Sequence, residues 1–157
     1  MSSCTPALSN ISVCTDPGTG AGGQADRNVG VLQMNVTSLS ANVLSFLLHD
    51  KEHSVYLLQE HRLQDKAYYK AISKLARKFY VYSSPAPTKV AGAQAGTMVL
   101  IRKHLHIIDK RLFGVHHESA FWSVGIVRFK HRQIAFVSVY LLPCCLLYTS
   151  PSPRDRG

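Results

Sequence analysis

Acidic residues are scarce in this chain: nine Asp and Glu stand against eighteen Lys and Arg, a formal charge of +9. Such a balance favours polyanionic partners, nucleic acid first among them, although a basic surface kept for solubility has the same composition. Cysteine is missing from the whole middle of the sequence, with Cys4 and Cys14 near one end and Cys144 and Cys145 near the other. Adjacent cysteines rarely bridge each other and the spacing fits no zinc template, which excludes a disulfide framework and suits a reducing compartment. Met1 to Asn10 has neither a basic nor an apolar segment of the secretory kind. No apolar run approaches the roughly 18 residues that span a bilayer. Without secretion, the sequons at Asn10 and Asn35 are accidental matches. These absences describe an intracellular chain, the nucleus included, with no membrane span and no obligate protein partner in view.

What is present is enough for one domain. The 157 residues can bury a core but not two, and 46% hydrophobic against 17% charged residues is ordinary for a globular protein. Residues Met1 to Gly30 are rich in Ser, Thr, Gly, Ala and Pro, too poor in large apolar groups to offset their ordering entropy, and read as a flexible leader. Val31 to Val36 is a short strand, and Leu39, Val43, Phe46 and Leu47 recur at helical spacing up to His49. Val55 to Gln59 is a buried strand. Tyr68, Ile72, Leu75, Ala76 and Phe79 form the apolar stripe of a second helix, with Asp65 as its N-cap. Its other face carries Lys66, Lys70, Lys74, Arg77 and Lys78, a pattern that more often marks a solvated face than a nucleic-acid groove. A Pro- and Gly-containing loop runs from Pro85 to Gly96. Strands are expected over Thr97–Arg102, Leu105–Leu112, Phe121–Phe129 and Gln133–Leu141, the last two joined at Lys130-His131-Arg132 as a hairpin. The order of elements predicts an α/β sandwich with a mixed sheet covered by helices, and no internal repeat is visible.

Three polar residues stand at the ends of apolar strands, where α/β folds build sites. They are Asn35 in Met34-Asn35-Val36-Thr37-Ser38-Leu39, Glu60 in Leu57-Leu58-Gln59-Glu60, and Tyr140 in Ser138-Val139-Tyr140. A carboxylate held beside an amide suits a hard, oxygen-liganding cation. In this ordered set the sequence resembles the endonuclease/exonuclease/phosphatase family, which has an Asn-Val-x-x-Leu pattern after its first strand, Gln-Glu after its second, and a later strand ending Tyr-x-Pro. The segment Ala95 to Arg102 is similar to the family's Gly-containing strand after the substrate loop. The resemblance covers about Val31 to Pro143. It implies Glu60 as ligand to Mg²⁺ or Mn²⁺, Asn35 as organiser of the site, and Tyr140 as a contact to the scissile phosphate. The activity implied is metal-dependent phosphodiester hydrolysis, with a nuclease acting on DNA, of the repair or retrotransposon type, as the leading form. A phosphatase of lipid or inositol head groups and a non-catalytic basic nucleic-acid-binding module are the alternatives.

The chain departs from the family in two places. Tyr140-Leu141-Leu142-Pro143 is one residue longer than Tyr-x-Pro, and no Gly-Asp-x-Asn or Asp-His pair follows. Those later groups orient the attacking water and the phosphate oxyanion, so the chain is expected to hold only the first half of the sandwich, to lack its partner sheet, and to be catalytically incomplete. The segment Cys145 to Asp155 is similar to a translated sequencing adapter. Residues 144–157 are accordingly read as a non-native tail and set aside from the fold. Removing Cys145 to Gly157 leaves a charge of +8, so the basic character survives.

Other motifs compete less well. His49-Asp50-Lys51-Glu52-His53 matches a His-x-x-Glu-His metalloprotease pattern, but His53 falls at or beyond the helix end, and a solvated turn is the better reading. His116-His117-Glu118 lacks further ligands around it and reads as a polar loop. Phe121 and Trp122, which could stack on a base, alternate as core residues do.

Overall fold

Val55-Tyr56-Leu57-Leu58 is apolar at every position because the strand it forms has a packed layer on each face, and all four residues are buried. The computed structural model describes residues 9–12, 29–87 and 95–141. In chain order its elements are β1 (Ser9–Ser12), β2 (Gly30–Asn35), α1 (Ala41–His49), β3 (Val55–Gln59), α2 (Asp65–Leu75), β4 (Phe79–Ser83), β5 (Thr97–Arg102), β6 (His106–Ile108), the 3₁₀ turn η1 (Lys110–Phe113), β7 (Trp122–Phe129) and β8 (Arg132–Val139). The first sheet has the order β1-β2-β3-β5-β4, with β2 and β3 parallel and the remaining pairs antiparallel. The second is antiparallel, in the order β6-β7-β8.

Period-2 alternation sorts the first sheet's side chains into two cores. Leu32, Met34, Tyr56, Leu58, Met98 and Leu100 face the helices and pack with Leu47, Ala71 and Leu75. Val31, Val55, Leu57, Val99 and Ile101 face the other way, against Val127 and Phe136 of the second sheet. The protein is thus an α/β assembly of three layers, helices on a mixed sheet on an antiparallel sheet. The expected half-sandwich without a partner sheet is therefore corrected, because β6, β7 and β8 supply that layer. What the second sheet leaves open is its outer face, where Val137 and Val139 are exposed.

Other sequence expectations are corrected in detail. Ser9–Ser12, within the expected flexible leader, pairs antiparallel with β2 from Ser9↔Gln33 to Ser12↔Gly30. An open strand edge recruits backbone, and backbone pairing needs no apolar periodicity. The second helix stops at Leu75, and Phe79 opens β4 instead of closing the apolar stripe. Asp65 is the first helical residue, and Gln64 holds the N-cap position without a side-chain hydrogen bond. The strand expected over Leu105–Leu112 is shortened to β6, because Asp109 caps η1 through a bond to the Arg111 N–H. Residues 1–8, 13–28, 88–94 and 142–157, among them all four cysteines, Pro143 and the C-terminal tail, lie outside the described residues.

The two sheets approach closely at Gly125, where an added Cβ would stand 2.5 Å from Ile101 Cδ1 and 3.0 Å from the Tyr82 ring. Gly125→Val is expected to cost about 1–3 kcal/mol by overpacking. The check is chemical denaturation, which should show a lower midpoint with an unchanged slope.

Candidate active site

Because β2 and β3 run parallel, their C-terminal ends emerge side by side, with Asn35 paired to Gln59 in the register. The ladder extends one step further, since the Val36 N–H donates to the Gln59 carbonyl at 3.0 Å. Asn35 then folds back on its own chain, its Oδ1 accepting from the Thr37 N–H at 3.1 Å. That bond turns the amide so that Nδ2 donates to Glu60 Oε1 at 2.8 Å. The other Glu60 oxygen accepts from the Arg62 guanidinium at 3.1 Å.

The backbone here is unusual for its residue types. Thr37, Glu60 and Arg62 all adopt left-handed φ values, of 52°, 57° and 53°. Each such residue costs about 1 kcal/mol or more, and such costs concentrate where side chains must be aimed. The left-handed turn at Glu60 aims its carboxylate along the sheet edge while His61 dives inward. Glu60 keeps 12% of its side-chain surface exposed and Arg62 keeps 33%, so the pair faces solvent from a partly enclosed position. The Arg62 Nε is buried without a partner.

Tyr140 arrives from the second sheet. Its N–H donates to the Phe121 carbonyl at 2.8 Å, which continues the β7–β8 ladder past its last strand pair. Burial pushes its phenol above the ordinary value, the Glu60 charge adds to the rise, and Arg62 opposes it. The structure thus gathers Asn35, Glu60 and Tyr140 at one end of the two sheets. That a residue contributed by the last strand lies within electrostatic reach of one at the end of β3 is a property of the packing.

A layer of buried polar groups holds this end together. Ser138 Oγ donates to the Leu58 carbonyl at 2.8 Å, which ties β8 to β3 two residues before Glu60. Thr97 Oγ1 and Ser123 Oγ share a hydrogen bond of 2.9 Å, and Ser123 also donates to the Thr97 carbonyl. His61 is fully buried; its N–H donates to the Gly96 carbonyl at 3.1 Å, and its own carbonyl accepts from Leu39 at 3.1 Å. His61 Nδ1 accepts from the Leu63 N–H at 3.0 Å, and Nε2 lies 3.3 Å from Ser83 Oγ. An accepting Nδ1 requires the neutral ring with its proton on Nε2. Burial lowers the imidazole from 6.5 to about 4, against weaker opposing hydrogen bonds at Ser84 and Thr97. Sequence reasoning missed Arg62, His61 and Ser138. Gly96 before the strand Thr97–Arg102 was the one visible hint of a tight approach, and nothing in a lone Ser on β8 announces a cross-sheet bond.

The competing motifs take structural parts. His49 Nδ1 bonds its own helix at the Ser45 carbonyl, at 2.8 Å, and His53 Nδ1 pairs with Asp50 Oδ2 at 2.7 Å. Burial raises the Asp50 carboxyl, but bonds from the Glu52 N–H, His53 and the Tyr56 hydroxyl outweigh it and hold the group below its usual value. Arg102 closes this corner by donating to the Asp50 and His53 carbonyls. Asp50, Glu52 and His53 could bring ligand atoms within 4.8 Å of one another, but their bonds already explain why they meet. Glu118 pairs with Lys110, which leaves His116 and His117 in a loop. No described helix is long and apolar enough to cross a membrane.

The donor set can be tested against a divalent cation directly. Among the described residues Glu60 belongs to no group of three or more His, Cys, Asp or Glu ligands. One carboxylate, fixed by an amide and an arginine, fits a Mg²⁺ that completes its shell with water and substrate phosphate oxygens. It does not make a closed all-protein cage. A scan against protein-family models and a search of curated proteins each return no match for this chain.

Proposed function

We propose that the Asn35–Glu60–Tyr140 cluster is the metal- and phosphate-facing part of a phosphodiester-hydrolysing site, with nucleic acid as substrate. The observation that carries this reading is the 2.8 Å bond from Asn35 Nδ2 to Glu60 Oε1 across two parallel strand ends. It fixes a partly exposed carboxylate with a lone pair free on each oxygen, at a backbone position that a non-glycine residue adopts only at a cost. Glu60 would hold Mg²⁺ or Mn²⁺, and Asn35 would set the carboxylate's orientation. The cation would supply charge stabilisation to a developing phosphoryl transition state. Arg62 and the Tyr140 hydroxyl, on the same rim, would donate to non-bridging phosphate oxygens. The formal charge of +9 supports a polyanionic substrate.

No second carboxylate or imidazole cluster includes Glu60 among the described residues, so the 157-residue chain by itself is expected to leave supercoiled plasmid intact in Mg²⁺. The test uses the chain complemented by a segment that supplies further carboxylate and imidazole groups, compared with its Glu60→Gln variant. Metal-dependent nicking that falls about a thousandfold in the variant is the expected result, from the several kcal/mol that a catalytic cation supplies. Equal nicking by both proteins would remove Glu60 from the metal role.

A further inference from the structure

The β7–β8 hairpin concentrates cations that the candidate site does not use. β7 ends and β8 begins around Lys130 and His131, with Phe129 paired to Arg132. Lys130 takes a left-handed φ of 54°, as the first central residue of a two-residue hairpin can. Arg128, Lys130, His131, Arg132 and Gln133 are all exposed, and they line one depression of about 310 Å³. In the strand register His106 pairs with Arg128, and Arg128 pairs with Gln133. Cross-strand partners share a face, so these three donor side chains form a row across three strands, about 10 Å from end to end. No carboxylate among the described residues pairs with Arg128 or Arg132.

This differs from the basic face of α2. There the lysines Lys66, Lys70 and Lys74 are strung along a convex helix. At the hairpin the cations surround a concave, polar surface. We propose that the β7–β8 hairpin tip is a nucleic-acid backbone contact, with Arg128, Lys130 and Arg132 each meeting a phosphate. Arg132 pairs with Phe129 and so leaves the opposite face of the ribbon from Arg128. Cations on both faces of a two-stranded ribbon suit a tip set into a groove between two phosphate backbones. A lipid surface is disfavoured because none of the exposed large apolar side chains falls within 128–133, which leaves nothing to insert into acyl chains. The hairpin lies at the far end of β7 from Tyr140 and Glu60, about 25 Å away along the strand. The contact therefore stands independently of any chemistry at Glu60.

The experiment is fluorescence anisotropy of a labelled, mixed-sequence DNA duplex with the full 157-residue chain in EDTA, across a salt series. The Arg128→Gln/Lys130→Gln/Arg132→Gln protein is expected to bind at least about tenfold more weakly, with a log–log salt slope shallower by about 2–3. Lys66→Gln/Lys70→Gln/Lys74→Gln removes the same charge from α2 and is expected to keep the slope. An unchanged slope in the hairpin protein would overturn the proposal, as would equal losses in the two triple variants. Binding to phosphatidylserine vesicles but not to the duplex would overturn it too. Failure of plasmid nicking bears on Glu60 alone and leaves these outcomes readable.

Discussion

Gly96→Ala is expected to destabilise the protein by about 2–6 kcal/mol, the sum of an overpacking cost and a strained-backbone cost of about 1–3 kcal/mol each. Gly96 has a φ of 113°, a conformation that residues with a Cβ rarely adopt. A Cβ there would also lie 2.8–2.9 Å from three atoms of the His61 ring. That ring cannot easily retreat, because the Leu63 N–H and Ser83 Oγ hold its two nitrogens and the side chain is fully buried. Gly96 also donates to the Ala120 carbonyl at 2.9 Å, so the strain reaches the second sheet beside Tyr140. Urea denaturation followed by circular dichroism measures the loss. A variant within about 0.5 kcal/mol of the wild type, the range of ordinary surface changes, would show that the Gly96–His61 contact does not constrain the fold.

Acid is expected to remove about 3 kcal/mol of stability through His61 alone. The unfolded imidazole takes up its proton near 6.5 and the folded one near 4. Between those values the unfolded state binds more protons, so stability rises with pH across the window. The contribution is complete above about pH 6.5, falls as pH drops toward 4, and levels off below, where both states are protonated. The separation between 6.5 and about 4 corresponds to about 3 kcal/mol. The structural cause is specific. Protonating Nδ1 would turn the acceptor of the Leu63 N–H into a donor facing a donor, in a site without water access. Denaturant midpoints measured from pH 7 to pH 4 should fall for the wild type and stay nearly flat over that window for His61→Gln. Parallel curves for the two proteins would assign the acid sensitivity elsewhere.

Much of this architecture is legible in the sequence because its elements bury full faces. Val55–Leu58 and Met98–Ile101 are apolar throughout and lie inside the first sheet. Asn35, Glu60 and Tyr140 stand out in the sequence because each is a polar residue that ends an apolar run. What the sequence hides has identifiable physical causes. β4 was absorbed into the preceding helix because Phe79 continues the helical stripe, although Ala76, Arg77 and Lys78 form the turn that ends it. The register that joins β1 to β2 is a backbone pairing, and backbone pairing leaves no periodic trace. The partner sheet was expected to be missing because the resemblance assigned it to a later segment, whereas β6 to β8 already cover Val55, Leu57, Val99 and Ile101. Arg62 escaped notice because its pairing with Glu60 depends on two left-handed residues, and alternation patterns carry no such information.

The central claim is that Glu60, oriented by Asn35, holds a divalent cation, and Mn²⁺ binding followed by electron paramagnetic resonance tests it most directly. The account predicts one weak site in the 157-residue chain, with a dissociation constant on the order of 1 mM, as befits a single carboxylate ligand. That site should vanish in Glu60→Gln, weaken in Asn35→Ala, and persist in Glu52→Gln/His53→Gln, which disables the unrelated cluster beside α1. Binding that survives Glu60→Gln but is lost in Glu52→Gln/His53→Gln would contradict the account and move the cation to the other end of β3.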